Sequence, residues 1–405
     1  MLGSRFLRRQ IFVLTRSSSI NRRVGDTRKY PKACVEGCMS FTSRRTCLRT
    51  LKVPIFVISL YIFSALLTKL HTTTTSLEKV HHRLLPREFA SKHVAQAERC
   101  SEVAIRDNAL QLSNETTFCP TELWYWDWIM RLNVKEFVSV EIGCNKATDA
   151  VLNLRAFTGN AKVDIDTWQA TSKLDNFACP IDRERWKALQ QSTERRAKIY
   201  THHCVEASRE NAIPVSEAAK KLGYHEMGLL VYHMAVSSSS MPRTAKFPVI
   251  PAGAEYIGIG TDNGQFAEFY NVKIITVDEL VVQNNIKQMD VLKIDTEGND
   301  PMVIIGALNS LAHLKPRYLQ FENHGVGRWA TFQLKDVIDM LDTLSYECFW
   351  ATNSGKLIRI TMCWSDEYSK IKTWSNVACH HRDDKTLSAI MRSYTWSKES
   401  RFVET

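Results

Sequence analysis

The stretch DVLKIDTEGNDPMVIIGALNSL, Asp290–Leu311, decides the fold. Val291, Leu292 and Ile294 make a short apolar run that ends at Asp295. The polar turn Thr296-Glu297-Gly298-Asn299-Asp300 follows, and Pro301 opens an apolar helix. Asp300 is a natural N-cap and Pro301 sits at the favoured first helical position. A strand, a polar turn and a helix form the repeating unit of an open α/β sheet, where ligand-binding residues gather at the carboxyl ends of the strands. Asp295 and Glu297 stand two apart at such an end. Carboxylates placed there are costly unless something hydrogen-bonds to them. Capping the loop or pairing with Lys293 would satisfy them structurally; a bound ligand would satisfy them functionally.

Similar units recur on both sides. Short apolar runs at Phe137–Ile142, His203–Glu206, Leu229–Val236, Tyr318–Glu322, Cys348–Ala351 and Leu357–Thr361 join Val291–Asp295 to make seven predicted strands. Helix-length segments such as Ala212–Leu222, Pro301–Leu314 and Leu334–Leu344 separate them. That alternation implies a parallel sheet covered on both faces, and the short connection Thr352–Lys356 an antiparallel strand closing one edge. A further helix, Thr121–Leu132, carries Trp124, Trp126 and Trp128 and is expected to pack beside the first strand.

The first strand runs into Gly143 within VEIGCNKATDA, Val140–Ala150. The first strand-to-helix turn of such a sheet holds nucleotide-like cofactors, and a glycine there lets backbone and ligand approach closely. Only one glycine is present, so the GxGxxG of dinucleotide-binding folds is absent. An acid about 20 residues beyond the glycine usually takes the ribose hydroxyls, which points to Asp164 or Asp166.

VEIGCNK, a second strand ending in an acid, MAVSSSS, ITVDELV, LKIDTEGND with its helix, and LQFEN together resemble the FkbM family of S-adenosylmethionine-dependent O-methyltransferases. The resemblance covers roughly residues 137–350, and LKIDTEGND is its most distinctive part. It implies a class I methyltransferase domain, a seven-stranded Rossmann-like α/β fold over 119–363, with an insertion at about 153–199 and an extension at 364–405. Glu141, Gly143 and Asn145 match the family's first motif, whereas Cys144 and Ala147 depart from it. YTHHCVEASREN, Tyr200–Asn211, is similar to its second strand, which makes Glu206 the preferred ribose acid over Asp166. The resemblance implies S-adenosylmethionine as cofactor, bound by Glu141, Gly143, Asn145 and Glu206. A hydroxyl acceptor, a glycan or other small polyhydroxylated molecule, would face Asp295, Glu297 and His324. Histidine titrates near neutral pH and would serve as general base. Gly325 and Gly327 would let the His324 loop move. Two other classes stay open: a Rossmann-like binding or glycan-processing protein that has lost methyl transfer, and a NAD-dependent oxidoreductase, against which the missing GxGxxG argues.

Charge and hydropathy set the organisation around this domain. Residues 1–52 hold thirteen Lys or Arg against Asp26 and Glu36, a net of +11, whereas the rest of the chain holds forty bases and forty-one acids. The basicity therefore belongs to the head and gives no sign of a nucleic-acid surface on the domain. Val53–Thr68 is free of charge, and residues 53–70 read as a transmembrane signal anchor followed by a polar stem, 71–118. The positive-inside rule then leaves the head cytosolic and the domain lumenal, a type II protein of the Golgi or endoplasmic reticulum. The Arg- and Ser-rich head also suits a mitochondrial or plastid transit peptide. Eight of the eleven cysteines follow residue 70, none in a CxxC pair, and disulfides among them would suit a lumen. His202 and His203, beside Cys204, read as strand residues, and no metal site is expected. Asn114-Glu115-Thr116 is a glycosylation triplet.

Overall fold

The computed structural model describes residues 99–113, 115, 119–174, 179, 183–260, 264 and 266–396. The head, the apolar run Val53–Thr68 and the stem up to residue 98 lie outside them, as does Asn114. Among the described residues no helix is long and apolar enough to cross a membrane.

In chain order the elements are α1 (Glu102–Ser113), α2 (Leu123–Arg131), β1 (Val134–Ile142), α3 (Thr148–Thr158), α4 (Ile165–Ser172), α5 (Arg183–Gln191), β2 (Ala197–Glu206) and α6 (Arg209–Lys221). Then come β3 (Leu229–His233), β4 (Ala235–Val236), β5 (Thr244–Pro248), β6 (Phe269–Ile275), α7 (Val277–Gln283), β7 (Val291–Ile294), α8 (Asp300–Ile305), α9 (Leu308–His313) and β8 (Tyr318–Asn323). The chain closes with α10 (Leu334–Thr343), β9 (Tyr346–Ala351), β10 (Leu357–Arg359), β11 (Ser375–His381) and α11 (Lys385–Ser393). The main sheet has eight strands in the order β10-β9-β11-β8-β7-β1-β2-β3, and β4-β6-β5 form a small second sheet. From β3 to β8 the pairing is parallel, and β11 runs antiparallel to both β8 and β9.

The seven expected strands are present, with β10 the antiparallel edge, but three more were not foreseen. The important one is β11, which enters between β8 and β9. Its sequence, SNVACHH, is polar on inspection yet buried throughout, because Asn376, His380 and His381 are covered by neighbouring elements. Leu229–Val236 breaks at Met234 into two strands that pair with different sheets. Pro301–Leu314 likewise breaks into α8 and α9. At that break a side chain on Gly306 would stand 2.3 Å from the Ser237 carbonyl oxygen, so the helix is interrupted where it crosses another backbone. Asn299 is the N-cap of α8, so Asp300 and Pro301 each sit one position later than expected.

Strand alternation distributes the core. Val138, Val140, Ile142, Leu292, Ile294, Leu319 and Phe321 face α7–α10. Phe137, Val291 and Tyr318 face α2, α3 and α11, with Phe137 stacked on Phe157 at 3.9 Å. The tryptophans expected beside β1 are here: Trp128 lies 6.0 Å from Phe137, and the Trp124 indole donates to the Tyr318 hydroxyl at 3.2 Å. Four disulfides, Cys100–Cys363, Cys119–Cys179, Cys144–Cys204 and Cys348–Cys379, use all eight later cysteines. Glu347, fully buried, ties the last elements together by pairing with His380 (3.1 Å), Arg359 (2.7 Å) and Arg392 (2.9 Å). Burial raises its pKa, but these partners outweigh burial and bring it down to about 2.

β1 and β7 meet at Gly143. Its φ is +83°, and a Cβ there would lie 1.6 Å from the Asp295 carbonyl oxygen. Whatever ligand lies nearby, the glycine is required by the protein's own backbone. Gly143→Ala should therefore destabilise the fold by about 3 kcal/mol or more, the combined cost of a strained φ and a backbone collision. Denaturant unfolding checks this, and an unchanged midpoint would show that the junction relaxes freely.

Candidate functional site

The carboxyl halves of β1, β7 and β8 break the apolar rule on one face only. Ser139 and Glu141, Lys293, and Gln320 and Glu322 alternate with core residues. Asp295 continues β7 on that side, and Asn376 pairs with Glu322 from β11. All of this patch but Ser139 floors a cavity of about 440 Å³, within the usual range for small-molecule sites, roughly 300–1,000 Å³. Trp126 of α2, Asp149 of α3, Arg185 and Trp186 of α5, and Trp374 wall it in. The segment expected as an insertion thus contributes α5 to the cavity.

A narrower cleft of about 50 Å³ adjoins it. Glu206, Ser208 and Asn211 stand at the end of β2, while Met234, Val236, Phe247, Ile250 and Ile257 supply apolar walls. Gly143, Asn145, Glu255, Asp295 and Glu297 line both spaces, so the two open onto one another at these residues. Glu206 is buried, accepting the Asn145 amide at 2.8 Å and the Ser208 amide at 2.7 Å. The side-chain amides of Asn145 and Asn211 both donate to the Ala254 carbonyl at 3.2 Å. That bond pair pins the segment 249–259 across the cleft. Lys146 ion-pairs with Glu255 on the same segment. Asn211 was not singled out in the sequence; the signal was its place in the first turn after an acid-terminated strand.

The expected site residues fall into three groups. Gly143, Asn145 and Glu206 meet in the cleft. Glu141 does not join them: it lines the cavity, where His202 Nε2 holds it at 3.0 Å and Lys293 Nζ lies 3.7 Å away. Lys293 also ion-pairs with Asp149, an arrangement that spends this lysine away from Glu297. Asp166 is exposed in the first turn of α4, whose N-cap is Asp164. His203 bonds to the Tyr232 hydroxyl at 3.0 Å, and burial lowers its pKa to about 4.

Asp295, Glu297 and His324 do converge, together with Glu322 and Asp300. Gly298 and Gly327 pack backbone against backbone: a Cβ on either would lie within 2.8 Å of the other loop. Arg328 N donates to the Gly298 carbonyl at 2.8 Å. Gly327 therefore serves close packing of the two strand-end loops, whereas Gly325 lies against Lys372. Glu297 adopts a left-handed φ of +52°. Asp300, read as a cap, braces the whole turn. It accepts from Thr296 Oγ1 at 3.1 Å, Gly298 N at 3.2 Å and Glu322 N at 3.3 Å. Glu322 accepts from the Trp374 indole and shares a hydrogen bond with Asp295.

These carboxyl groups are buried side by side. Burial first, then the neighbouring acids, raise Glu297 to about 9 and Asp300 to about 7. Burial, opposed by Lys293, raises Asp295 to about 6, and burial with Asp295 and Glu297 pushes Glu322 well above the carboxylate range. Such a cluster either holds protons or waits for positive charge.

The walled site lies across the carboxyl ends of the central strands, where open α/β sheets hold their ligands. Residues 183–348 match the family model of the methyltransferase FkbM domain, and the chain is a methyltransferase. The match runs from α5 into β9 and takes in Glu206, Asp295, Glu297, Glu322 and His324; the Gly143 turn lies before it. Among curated proteins and solved structures, nothing matches the chain significantly.

Burial raises Glu206 from 4.5 to about 7. The stability carried by its neutral form is fully present below pH 4.5 and is lost as pH rises through 7, an effect of roughly 3 kcal/mol. Relative to wild type, Glu206→Gln should gain thermal stability between pH 5 and pH 8.5. A difference that stays flat across that range would contradict the assignment.

Proposed function

We propose that this chain transfers the methyl group of S-adenosylmethionine to a hydroxyl of a glycan or another polyhydroxylated acceptor. The observation that carries the reading is the meeting of two unlike spaces at Asp295 and Glu297. One is narrow and apolar-walled with a carboxylate at its strand end; the other is wide, polar-floored and lined by tryptophans.

The cleft suits a nucleoside in its chemistry. One Glu206 oxygen accepts the Asn145 amide and the other the Ser208 amide, which leaves lone pairs for a pair of ribose hydroxyls. Met234, Val236, Phe247 and Ile250 offer apolar contact to a base. At about 50 Å³ the cleft admits a nucleoside only when the segment 249–259 lifts. The bound donor supplies an electrophilic methyl carbon on a sulfonium, and its positive charge suits the acids at the junction. On the cavity side, tryptophan faces and the Gln320, Asn376 and Arg185 side chains match the mixed apolar and hydroxyl surface of a sugar. Positioning supplies most of the rate in such a transfer. Asp295 and Glu297 orient the acceptor hydroxyl. We assign the hydroxyl proton to Asp295, because the His324 Nδ1 already accepts the Val326 amide at 3.3 Å.

The same reading places the domain in a lumen, behind a membrane helix at Val53–Thr68. What supports it is the charge asymmetry around that run and the pairing of every later cysteine, a pattern of oxidising compartments. In sealed microsomes, protease should remove the N-terminal head and spare the domain; digestion of the domain would sink the topology.

Transfer is tested by incubating the protein with methyl-labelled donor and a panel of glycans. Glu206→Ala should weaken donor binding by about 1–3 kcal/mol in calorimetry. Asp295→Asn should slow turnover by roughly 10²–10⁴-fold, a larger loss than it causes in donor affinity. Tight donor binding without label in any hydroxyl would rule out the acceptor class.

A further inference from the structure

Glu297, Glu322 and His324 each present one ligand atom, and the three atoms lie within 4.8 Å of one another. Glu297 comes from the turn after β7, Glu322 from the end of β8, and His324 from the residue just beyond. The Gly298–Gly327 backbone contact holds the two loops so that these side chains converge. Two atoms on these residues stand out. His324 Nε2 is buried without a hydrogen bond, and apart from the Asp295 carboxyl no group serves Glu322 Oε2; the two residues are only 6% and 1% exposed. A ring nitrogen and a carboxylate oxygen left so poorly served are costly in a protein interior. A cation among Glu297, Glu322 and His324 would satisfy all three.

We propose that Glu297, Glu322 and His324 form a divalent-cation site at the junction of the cavity and the cleft. Two carboxylates and an imidazole suit a first-row ion such as Mn²⁺. The donor's own positive charge does not fill this position: Glu322 lines the cavity but not the narrow cleft, and His324 lines neither space. Access is from the cavity, past Glu297 and Glu322, which leaves the ion's open coordination positions towards the acceptor. Asp295, sharing a hydrogen bond with Glu322, sits beside the ion as an outer partner. Loading has one visible cost: a cation on Nε2 requires the ring proton on Nδ1, so the long Val326 contact is given up.

The site's existence stands apart from the methyl-transfer reading; its catalytic role rests on that reading. There, the ion binds the acceptor hydroxyl oxygen and makes it more acidic. The oxygen's electron pair forms the bond to the methyl carbon, the carbon–sulfur pair returns to sulfur, and the hydroxyl proton passes to Asp295.

The test uses the full chain, stripped with chelator and titrated with MnCl₂ in the absence of donor and acceptor. Bound ion is read from the loss of the free Mn²⁺ electron paramagnetic resonance signal. One ion per chain should bind and raise the thermal unfolding midpoint. His324→Ala and Glu297→Gln should each weaken binding by about 10–100-fold, at least the loss seen for outer-partner changes, while His313→Ala, on the exposed end of α9, should not. Failure of the wild-type protein to bind a stoichiometric ion, or to be stabilised by it, overturns the site whether or not the variants fold. Full methyl transfer in excess chelator overturns the catalytic role and leaves the methyltransferase reading intact. Stoichiometric Mn²⁺ binding without transfer to any acceptor upholds the site and counts against the acceptor reading instead.

Discussion

The contact between Gly143 and the Asp295 carbonyl organises this molecule. Three backbones converge there. Gly143 N donates to the Val205 carbonyl, and Asp295 N donates to the Ile142 carbonyl, each at 2.8 Å. The ends of β1, β2 and β7 are thus fixed relative to one another with no side chain between them. Asn145 then emerges with a left-handed φ of +47°, its amide aimed at Glu206. Asp295 leads into Glu297, itself left-handed. The Cys144–Cys204 disulfide clamps the same junction from the next residue. Cleft and cavity open onto each other here because the sheet's central strands cannot separate at this point.

Around that junction, charge is concentrated where hydrophobic burial would otherwise be expected. Parallel strands in the middle of a sheet are usually apolar on both faces. Here one face of β1, β7 and β8 turns polar over its last few residues, and α2, α3 and α5 stand away from it to leave a cavity. The acids on this floor gain solvation neither from bulk water nor, for the most part, from basic partners. Lys293, on the same floor, is committed to Asp149 and Glu141. The electrostatic cost is carried by the surrounding scaffold: aromatic packing below, the braced turn at Asp300 and two loops locked by glycines.

Much of this was legible in the sequence, for definable reasons. The strand–turn–helix unit at Asp290–Leu311 stood out because apolar runs end abruptly at acids, a change of pattern that local chemistry alone produces. Asp295, Glu297, Glu206 and Asn145 could be named because each stands at a strand end. Glu141 shares the wide cavity with Gly143 and Asn145 but stays out of the cleft, a distinction that the pleat at the end of a strand makes and the sequence does not display. β11 was missed for a different reason. Its polar residues are satisfied by tertiary partners, and no one-dimensional pattern reveals that His380 will meet Glu347. The division of α8 from α9 depends on a crossing backbone more than sixty residues away. The partnership of Glu322 and Trp374 is of the same long-range kind.

The late insertion of β11 has a consequence for how the chain is made. Every other strand of the main sheet has been synthesised by residue 359, yet β8 and β9 cannot be joined until residues 375–381 arrive to lie between them. Until then the nascent domain carries two unpaired apolar edges at its centre, each open to another extended chain. Cys348 must also wait for Cys379 before the two can be oxidised together. Completion of the main sheet therefore waits on residues 375–381, and a chain interrupted before residue 381 would be left adhesive, with β8 and β9 unjoined.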